Sequence, residues 1–277
     1  MTDKIQRVRA RAFRGLHDEG TFVLPNAWDA GSAVLIARAG APAVGTTSAG
    51  VSWAQGRQDG QTLTADEMAA QIWRIVQAVD VPVSADIEGG YGASPGEVGA
   101  SVMAAVRAGA VGVNVEDSRR VGGPLFTPSE QAERVRAARV AANEAGLPEL
   151  VVNFRTDVFL FGIGKPEDRL PDVLDRAAQA RAAGADCLFV PGLLDLGALA
   201  ALVEEAGLPV NAMAGPGAPS VSDLGKAGVR RVSVGSAIAQ AAYSVARRAA
   251  AEFVSKGTYA AMEGSDEFGD LDGAFSR

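Results

Sequence analysis

Phe22-Val23-Leu24-Pro25-Asn26-Ala27-Trp28 is the stretch on which the fold turns. It contains the first short apolar run of the chain, and Pro-Asn follows where a glycine-rich turn would stand in a doubly wound sheet. Such a sheet carries G-x-G-x-x-G after its first strand, because the glycines let backbone approach a pyrophosphate. With that signature missing, the competing α/β architecture is favoured. Outward from this stretch one pattern repeats. Short apolar runs at 22–27, 43–48, 81–88, 111–117, 150–157, 187–192, 209–214 and 231–236 alternate with Ala-rich segments of helical period. Each run is bounded by Gly, Pro, Asn or Asp, the mark of a buried strand. Gly40, Gly109, Gly184, Gly207 and Gly228 close helices. Thr127-Pro128, Lys165-Pro166 and Ala218-Pro219 open them. Eight βα units predict an α/β fold, a (β/α)8 TIM-type barrel with a leading N-terminal helix over 3–19. Residues 1–256 form the single barrel domain, and the acidic, Gly-rich stretch 257–277 reads as a solvated tail.

Composition narrows the function. The chain has 277 residues, 48% hydrophobic and 21% charged, which excludes disorder over most of it. A net charge of −7 without a basic cluster argues against a nucleic-acid partner. No apolar run reaches the roughly 20 residues that span a bilayer, and residues 1–14 lack the apolar middle of a signal peptide. The expectation is a cytoplasmic protein with no membrane partner. Cys187 is the single cysteine and His17 the single histidine, so disulfide frameworks, His-ligated zinc and Ser-His-Asp catalysis are excluded together. Cys187 begins a strand and reads as a buried small hydrophobe; His17 belongs to the leading helix and reads as a surface or helix-end residue. Lys4, Lys165, Lys226 and Lys256 all avoid strand ends, against a Schiff-base aldolase.

Barrel chemistry gathers at the C-terminal ends of strands. Parity puts Ser84, Asp86 and Glu88 on one face of the third run, and Asn114 and Glu116 on one face of the fourth, with Asp117 beyond. Asn153, Arg155 and Asp157 align on the fifth, Asn211 ends the seventh, and Thr46 and Ser48 end the second. Asp86, Glu88 and Glu116 thus converge, and without compensation their burial would cost several kcal/mol. Either a hard divalent cation, Mg²⁺ with Mn²⁺ as the alternative, or an ion network with Arg155 offsets them.

Thr47-Ser48-Ala49-Gly50, Asp59, Ser84-Ala85-Asp86-Ile87-Glu88-Gly89-Gly90-Tyr91-Gly92, Val115-Glu116-Asp117 and Phe154-Arg155-Thr156-Asp157 together resemble the isocitrate lyase/phosphoenolpyruvate mutase superfamily, over about 25–250. The resemblance implies a Mg²⁺-dependent barrel enzyme, a homo-oligomer (dimer or tetramer), that makes or breaks C–C or P–C bonds beside a small carboxylate substrate. It implies that Ser48, Ala49 and Gly50 cradle the substrate carboxylate and that Asp86 holds the metal. Asp59 and Glu116 would orient metal-bound waters, Arg155 would meet an enolate oxygen, and Asn211 would contact substrate. Two departures stand out. The family's Asp-x-Asp metal pair is read here as Ser84-Ala85-Asp86, with Glu88 as the replacement ligand. The loop after the fourth strand, Asp117-Ser118-Arg119-Arg120-Val121-Gly122-Gly123-Pro124, lacks the gate cysteine of isocitrate and methylisocitrate lyases. Arg119 and Arg120 are candidates for a second carboxylate or a phosphonate, and Tyr91 for delivering a proton. The expected function is a Mg²⁺-dependent lyase that cleaves a C–C bond of a 2-oxo or 2-hydroxy acid through a pyruvate-type enolate. Oxaloacetate decarboxylase-like and substituted-malate lyase-like reactions both fit. The alternatives are a phosphonopyruvate-type mutase or hydrolase and a non-catalytic carboxylate-binding barrel.

Overall fold

The computed structural model describes residues 4–276. It opens with α1 (Lys4–Gly15), β1 (Phe22–Leu24), β2 (Asn26–Ala27), α2 (Ala30–Arg38), β3 (Val44–Thr46), α3 (Ser48–Ala54) and α4 (Ala65–Ala78). Next come β4 (Val83–Asp86), α5 (Pro95–Arg107), β5 (Gly112–Glu116), α6 (Pro128–Glu144), β6 (Val151–Arg155) and α7 (Pro166–Ala183). β7 (Cys187–Phe189), α8 (Leu196–Ala206), β8 (Val210–Met213), α9 (Val221–Lys226), β9 (Arg231–Ser233), α10 (Ala237–Lys256) and α11 (Phe268–Gly273) complete the chain.

All strand pairings are parallel, in the order β1-β9-β8-β7-β6-β5-β4-β3-β2. The nine segments make eight staves, because β1 and β2 are halves of one run divided at Pro25, which has no N–H for a ladder. β1 pairs with β9 and β2 with β3, so the split stave serves both edges of the sheet and brings it nearly to closure. The join is tight: Gly45 N–H donates to Pro25 O at 2.9 Å, and Val234 N–H to Asn26 Oδ1 at 3.0 Å.

Proline opens α6 and α7 as the sequence predicts. Pro219 does not open α9. Ser220 caps that helix by accepting Asp223 N–H, which a proline side chain cannot do, and the helix starts at Val221. Past α10 the stretch expected as a solvated tail is largely exposed, and it folds a 3₁₀ turn and α11; a Cβ on Gly31 of α2 would touch the Phe275 ring. Among the described residues no helix is long and apolar enough to cross a membrane.

α1 covers the N-terminal end of the barrel. Gln6 Nε2 donates to Val106 O at 2.8 Å, Arg14 Nη2 to Leu150 O at 3.2 Å, and the Phe13 side chain is fully buried. The helix ends at Gly15, four residues short of the expected limit, and the following turn drives His17 inward. His17 is therefore not a surface residue; it is 7% exposed. Its ring stands edge-on to Phe13 (5.1 Å) and Phe22 (4.9 Å), with Nδ1 donating to Phe13 O at 3.0 Å.

Burial, assisted by the Arg231 charge, lowers the His17 pKa to about 4. Between roughly pH 6.5 and that value the unfolded chain carries a proton that the folded one does not, so stability falls as pH falls. Lowering pH from 7.5 to 4.5 should cost wild type roughly 2–3 kcal/mol more than His17→Phe. Urea denaturation of both proteins at the two pH values measures this difference; equal losses would contradict it.

Candidate active site at the barrel mouth

With α1 over one end, the other end is where the strands finish, and Asp86, Glu116 and Arg155 close β4, β5 and β6 there. Asp86 is held from two sides. Its N–H donates to Thr46 Oγ1 at 2.8 Å, and its Oδ2 accepts the N–H of Ser48, first residue of α3, at 3.0 Å. Glu116 Oε2 lies 3.0 Å from Arg155 Nη1, and Arg155 Nε donates to Asp157 Oδ1 at 2.7 Å. Asp157 Oδ2 accepts Ser118 Oγ–H at 2.6 Å, so the guanidinium is gripped between two carboxylates, one of them tied to the next loop.

Glu88 lies beyond the end of β4, where strand parity no longer applies. Its backbone is left-handed, φ 51°, and its carboxylate is placed by hydrogen bonds instead. Gln61 N–H donates to Oε2 at 2.5 Å and Tyr91 O–H to Oε1 at 3.4 Å. Gln61 (φ 58°) and Tyr91 (φ 56°) are left-handed too. Side chains resist this region at a cost of about 1–3 kcal/mol each, and such strain collects at functional sites. Buried Arg134 of α6 braces the loop by donating to Gly92 O at 2.9 Å, Ala93 O at 2.8 Å and Gly89 O.

The acids disturb one another. Burial first, then the Asp59 and Asp86 charges, raise the Glu88 pKa to about 7. Burial and Asp86 raise that of Asp59. Burial holds Glu116 well above the carboxylate range, against the pull of Arg155. Burial opposes the Arg155 charge, yet Glu116, Asp157 and Asp86 hold its pKa above the ordinary value. Tyr91 stays protonated, its pKa raised by burial and by Glu88.

The structure thus brings Asp59, Asp86, Glu88, Tyr91, Glu116 and Arg155 into one neighbourhood. Ser84 is not among them. It lies one layer deeper on β4, beside Gly112, where an added Cβ would stand 2.9 Å from the Ser84 Oγ. The carboxylates at and just past the end of β4 are therefore Asp86 and Glu88. Ser48 N–H is engaged by Asp86, which leaves the first-turn N–H groups of Ala49 and Gly50 without partners inside α3. Gly50 also has a packing duty, since a Cβ there would meet Trp28 Cβ at 2.7 Å. Asn211 sits in the barrel interior. Its Nδ2 donates to Ala212 O, Arg231 O and Ser233 Oγ, and its Oδ1 accepts from Asn153 Nδ2. Arg119 and Arg120 stand on the exposed loop. Arg119 pairs with Glu130 at 2.7 Å, and Arg120 Nε donates to Gly123 O at 2.9 Å.

Gln61, Arg134 and Arg231 went unread in the sequence. Gln61 carried no signal, because left-handed glutamine has no motif. Arg134 and Arg231 did carry one: each is an arginine at an inward position of its element, and each is 1% exposed.

A divalent cation fits these residues. The donors are all oxygens, and their mutual repulsion and burial would be relieved by one positive ion. Among the described residues no three acidic, His or Cys side chains converge tightly enough to ligate an ion alone. Mg²⁺ asks for less, one or two carboxylates and waters. Asp86 and Glu88 can supply that, with Glu116 behind them in its pair with Arg155.

The model of the phosphoenolpyruvate phosphomutase family matches residues 13–254. A crystal structure from Burkholderia cenocepacia J2315, assigned broadly as a lyase/mutase, superposes with a TM-score of 0.91 at 38% identity, over 99% of this chain and 98% of that one. An uncharacterized protein of Mycobacterium tuberculosis is 36% identical over 226 residues, 81% of this chain and 82% of its own. The 2-methylisocitrate lyase of Salmonella typhimurium is 29% identical over 209 residues, 72% of this chain and 68% of its own. The chain belongs to the phosphoenolpyruvate phosphomutase family, in the superfamily of phosphoenolpyruvate mutase and isocitrate lyase, whose members are lyases and mutases.

Proposed function

We propose that the protein is a Mg²⁺-dependent lyase that cleaves a C–C bond of a small 2-oxo or 2-hydroxy acid and leaves a pyruvate-type enolate. The observation that carries this reading is the cluster of Asp59, Asp86, Glu88 and Glu116 around one guanidinium at the barrel mouth. Asp86 and Glu88 would hold the ion, with Glu116 beside them. When bound, the cation supplies Lewis-acid polarisation of the substrate's carboxylate and adjacent oxygen. The N–H groups of Ala49 and Gly50 face the substrate carboxylate. Arg155, fixed by Glu116 and Asp157, meets the charge that develops on the enolate oxygen without having to reorganise. Tyr91, protonated and donating to Glu88, would deliver a proton to the enolate carbon in this reading. Decarboxylation needs no base to begin, whereas cleavage of a substituted malate does. Asp59 and Glu116, both raised in pKa, are the groups to take that proton through water.

Pyruvate release from a panel of oxaloacetate, substituted malates and phosphonopyruvate, followed by ¹H and ³¹P NMR, tests the reading. Cleavage of a C–C substrate is expected. Phosphate or phosphoenolpyruvate from phosphonopyruvate alone would favour the P–C reading, and no turnover of any acid would favour a binding barrel.

We also infer that the protein works in the cytoplasm as a homo-oligomer, a dimer or tetramer. Val245, Phe253 and Val254 on α10, with Tyr259 and Phe268 beyond it, leave apolar surface in the open; Val254 is 85% and Phe268 83% exposed. Light scattering at micromolar concentration should give two or four chain masses, and a monomer would contradict this.

A further inference from the structure

Asp117 follows Glu116 in sequence, and its buried carboxylate meets a helix of the outer layer. Its Oδ2 accepts from Arg176 Nη1, on α7, at 3.1 Å, and its Oδ1 accepts the backbone N–H of Asp157 at 3.0 Å. Asp172, one turn earlier on α7, accepts Arg176 Nε–H at 3.1 Å and steadies the guanidinium from the helix side. Asp157 in turn is the residue whose Oδ1 accepts Arg155 Nε–H. A continuous line of hydrogen bonds therefore runs from α7, through Asp117 and Asp157, to the guanidinium at the barrel mouth.

The same pair fastens the base of the loop that follows β5. Arg176 Nη1 also donates to Phe126 O at 2.7 Å, and Phe126 N–H donates to Asp117 O at 2.8 Å. Ser118 and Leu125 form an antiparallel bridge just beyond. Ser118 is thereby held where its Oγ–H reaches Asp157 Oδ2 at 2.6 Å. Both supports of Asp157, at its backbone N–H and at its second carboxylate oxygen, thus begin at Asp117 and Arg176. The backbone of Arg155 is tied to the same place, since Asp117 N–H donates to Arg155 O at 3.1 Å.

Stability alone does not call for this arrangement. Apolar side chains of similar volume often replace a buried ion pair without loss of stability. What they cannot do is hold an oxygen against the N–H of Asp157. A donor that must meet charge in a transition state acts best when its own partners have already fixed it.

We propose that Asp117 and Arg176 are positioning residues: their buried pair fixes Asp157 and, through it, aims Arg155. Neither touches the reacting atoms. The expected effect on rate rests on the enolate reading above, whereas the expected effect on Arg155 itself needs no substrate.

Two measurements test this on the full-length protein. In an assigned ¹H–¹⁵N spectrum, the Arg155 Nε–H of Arg176→Met and of Asp117→Asn should exchange with solvent at least roughly tenfold faster than in wild type. With Mg²⁺ and pyruvate in D₂O, kcat for loss of the methyl signal should fall roughly 10–100-fold, with KM within about threefold of wild type. Arg176→Lys, which restores a cation opposite Asp117, should recover part of that rate. Asp117→Asn keeps the side-chain volume and an acceptor for Asp157 N–H, so it carries the test if Arg176→Met does not fold. An Arg155 Nε–H as protected in the folded variants as in wild type overturns the proposal. So does an unchanged kcat per folded molecule, the outcome of a purely structural role. If wild type exchanges no pyruvate proton, the enolate reading falls, while faster Nε–H exchange in the variants still supports the positioning of Arg155 by this pair.

Discussion

Arg155→Met is expected to abolish turnover of every acid the wild-type protein processes, and to cost about 3–5 kcal/mol of stability. The two effects share a cause. Arg155 is the cation between Glu116 (3.0 Å) and Asp157 (2.7 Å), whose side chains are 12% and 0% exposed. Removing it leaves two buried carboxylates without their partner, which is costlier than never having had the pair. It also removes the donor that meets the enolate charge, a loss of roughly 10²–10³-fold even for a single oxyanion contact. The double variant Glu116→Gln/Arg155→Met separates the effects. It should recover part of the stability, because one orphaned charge is gone, and none of the turnover. Urea denaturation and the turnover panel check both. An Arg155→Met protein that keeps wild-type turnover would remove this guanidinium from the mechanism.

Asp86→Asn is expected to behave in the opposite way on stability. Asp86 raises the pKa of both Asp59 and Glu88, so removing its charge relieves repulsion inside the cluster. An asparagine oxygen can still accept Ser48 N–H, and the backbone bond to Thr46 is untouched. The metal-free variant should be as stable as wild type or slightly more so. What it should lose is the response to Mg²⁺. A ligand that binds only the folded state raises stability by RT ln(1 + [L]/Kd), about 2.7 kcal/mol at a hundredfold excess over Kd. Wild type should show a rise of that kind on addition of Mg²⁺, and Asp86→Asn should show none and no turnover. Equal rises in both proteins would move the cation elsewhere.

Much of this was legible in sequence, and the misses have physical causes. The barrel could be read because each of its eight staves is a short apolar run between breakers, and this pattern survives even where Pro25 divides one stave. The acid cluster could be read because parity holds to the ends of β4 and β5. Parity stops being a guide two residues later, where Glu88 turns left-handed, so its place beside Asp86 depends on the hydrogen bonds from Gln61 and Tyr91 rather than on the strand. His17 does lie at a helix end, but helix periodicity says nothing about a turn that folds its ring back between Phe13 and Phe22, so its burial is not legible in the sequence. Asn211 had the right parity for a strand end, but parity gives a face and not a depth. Its amide is engaged within the barrel. Arg134 acts from a helix forty residues away from the loop it braces, a relation that only tertiary structure creates.

The most direct measurement of the central claim needs no knowledge of the natural substrate. An enzyme that protonates a pyruvate enolate must, by microscopic reversibility, also remove a proton from pyruvate. In D₂O with Mg²⁺, ¹H NMR should show wild type washing out the methyl signal of pyruvate, and Asp86→Asn and Arg155→Met leaving it intact. EDTA should stop the exchange. Exchange that continues at the same rate after EDTA treatment, or a methyl signal that never declines with Mg²⁺ present, would contradict the account.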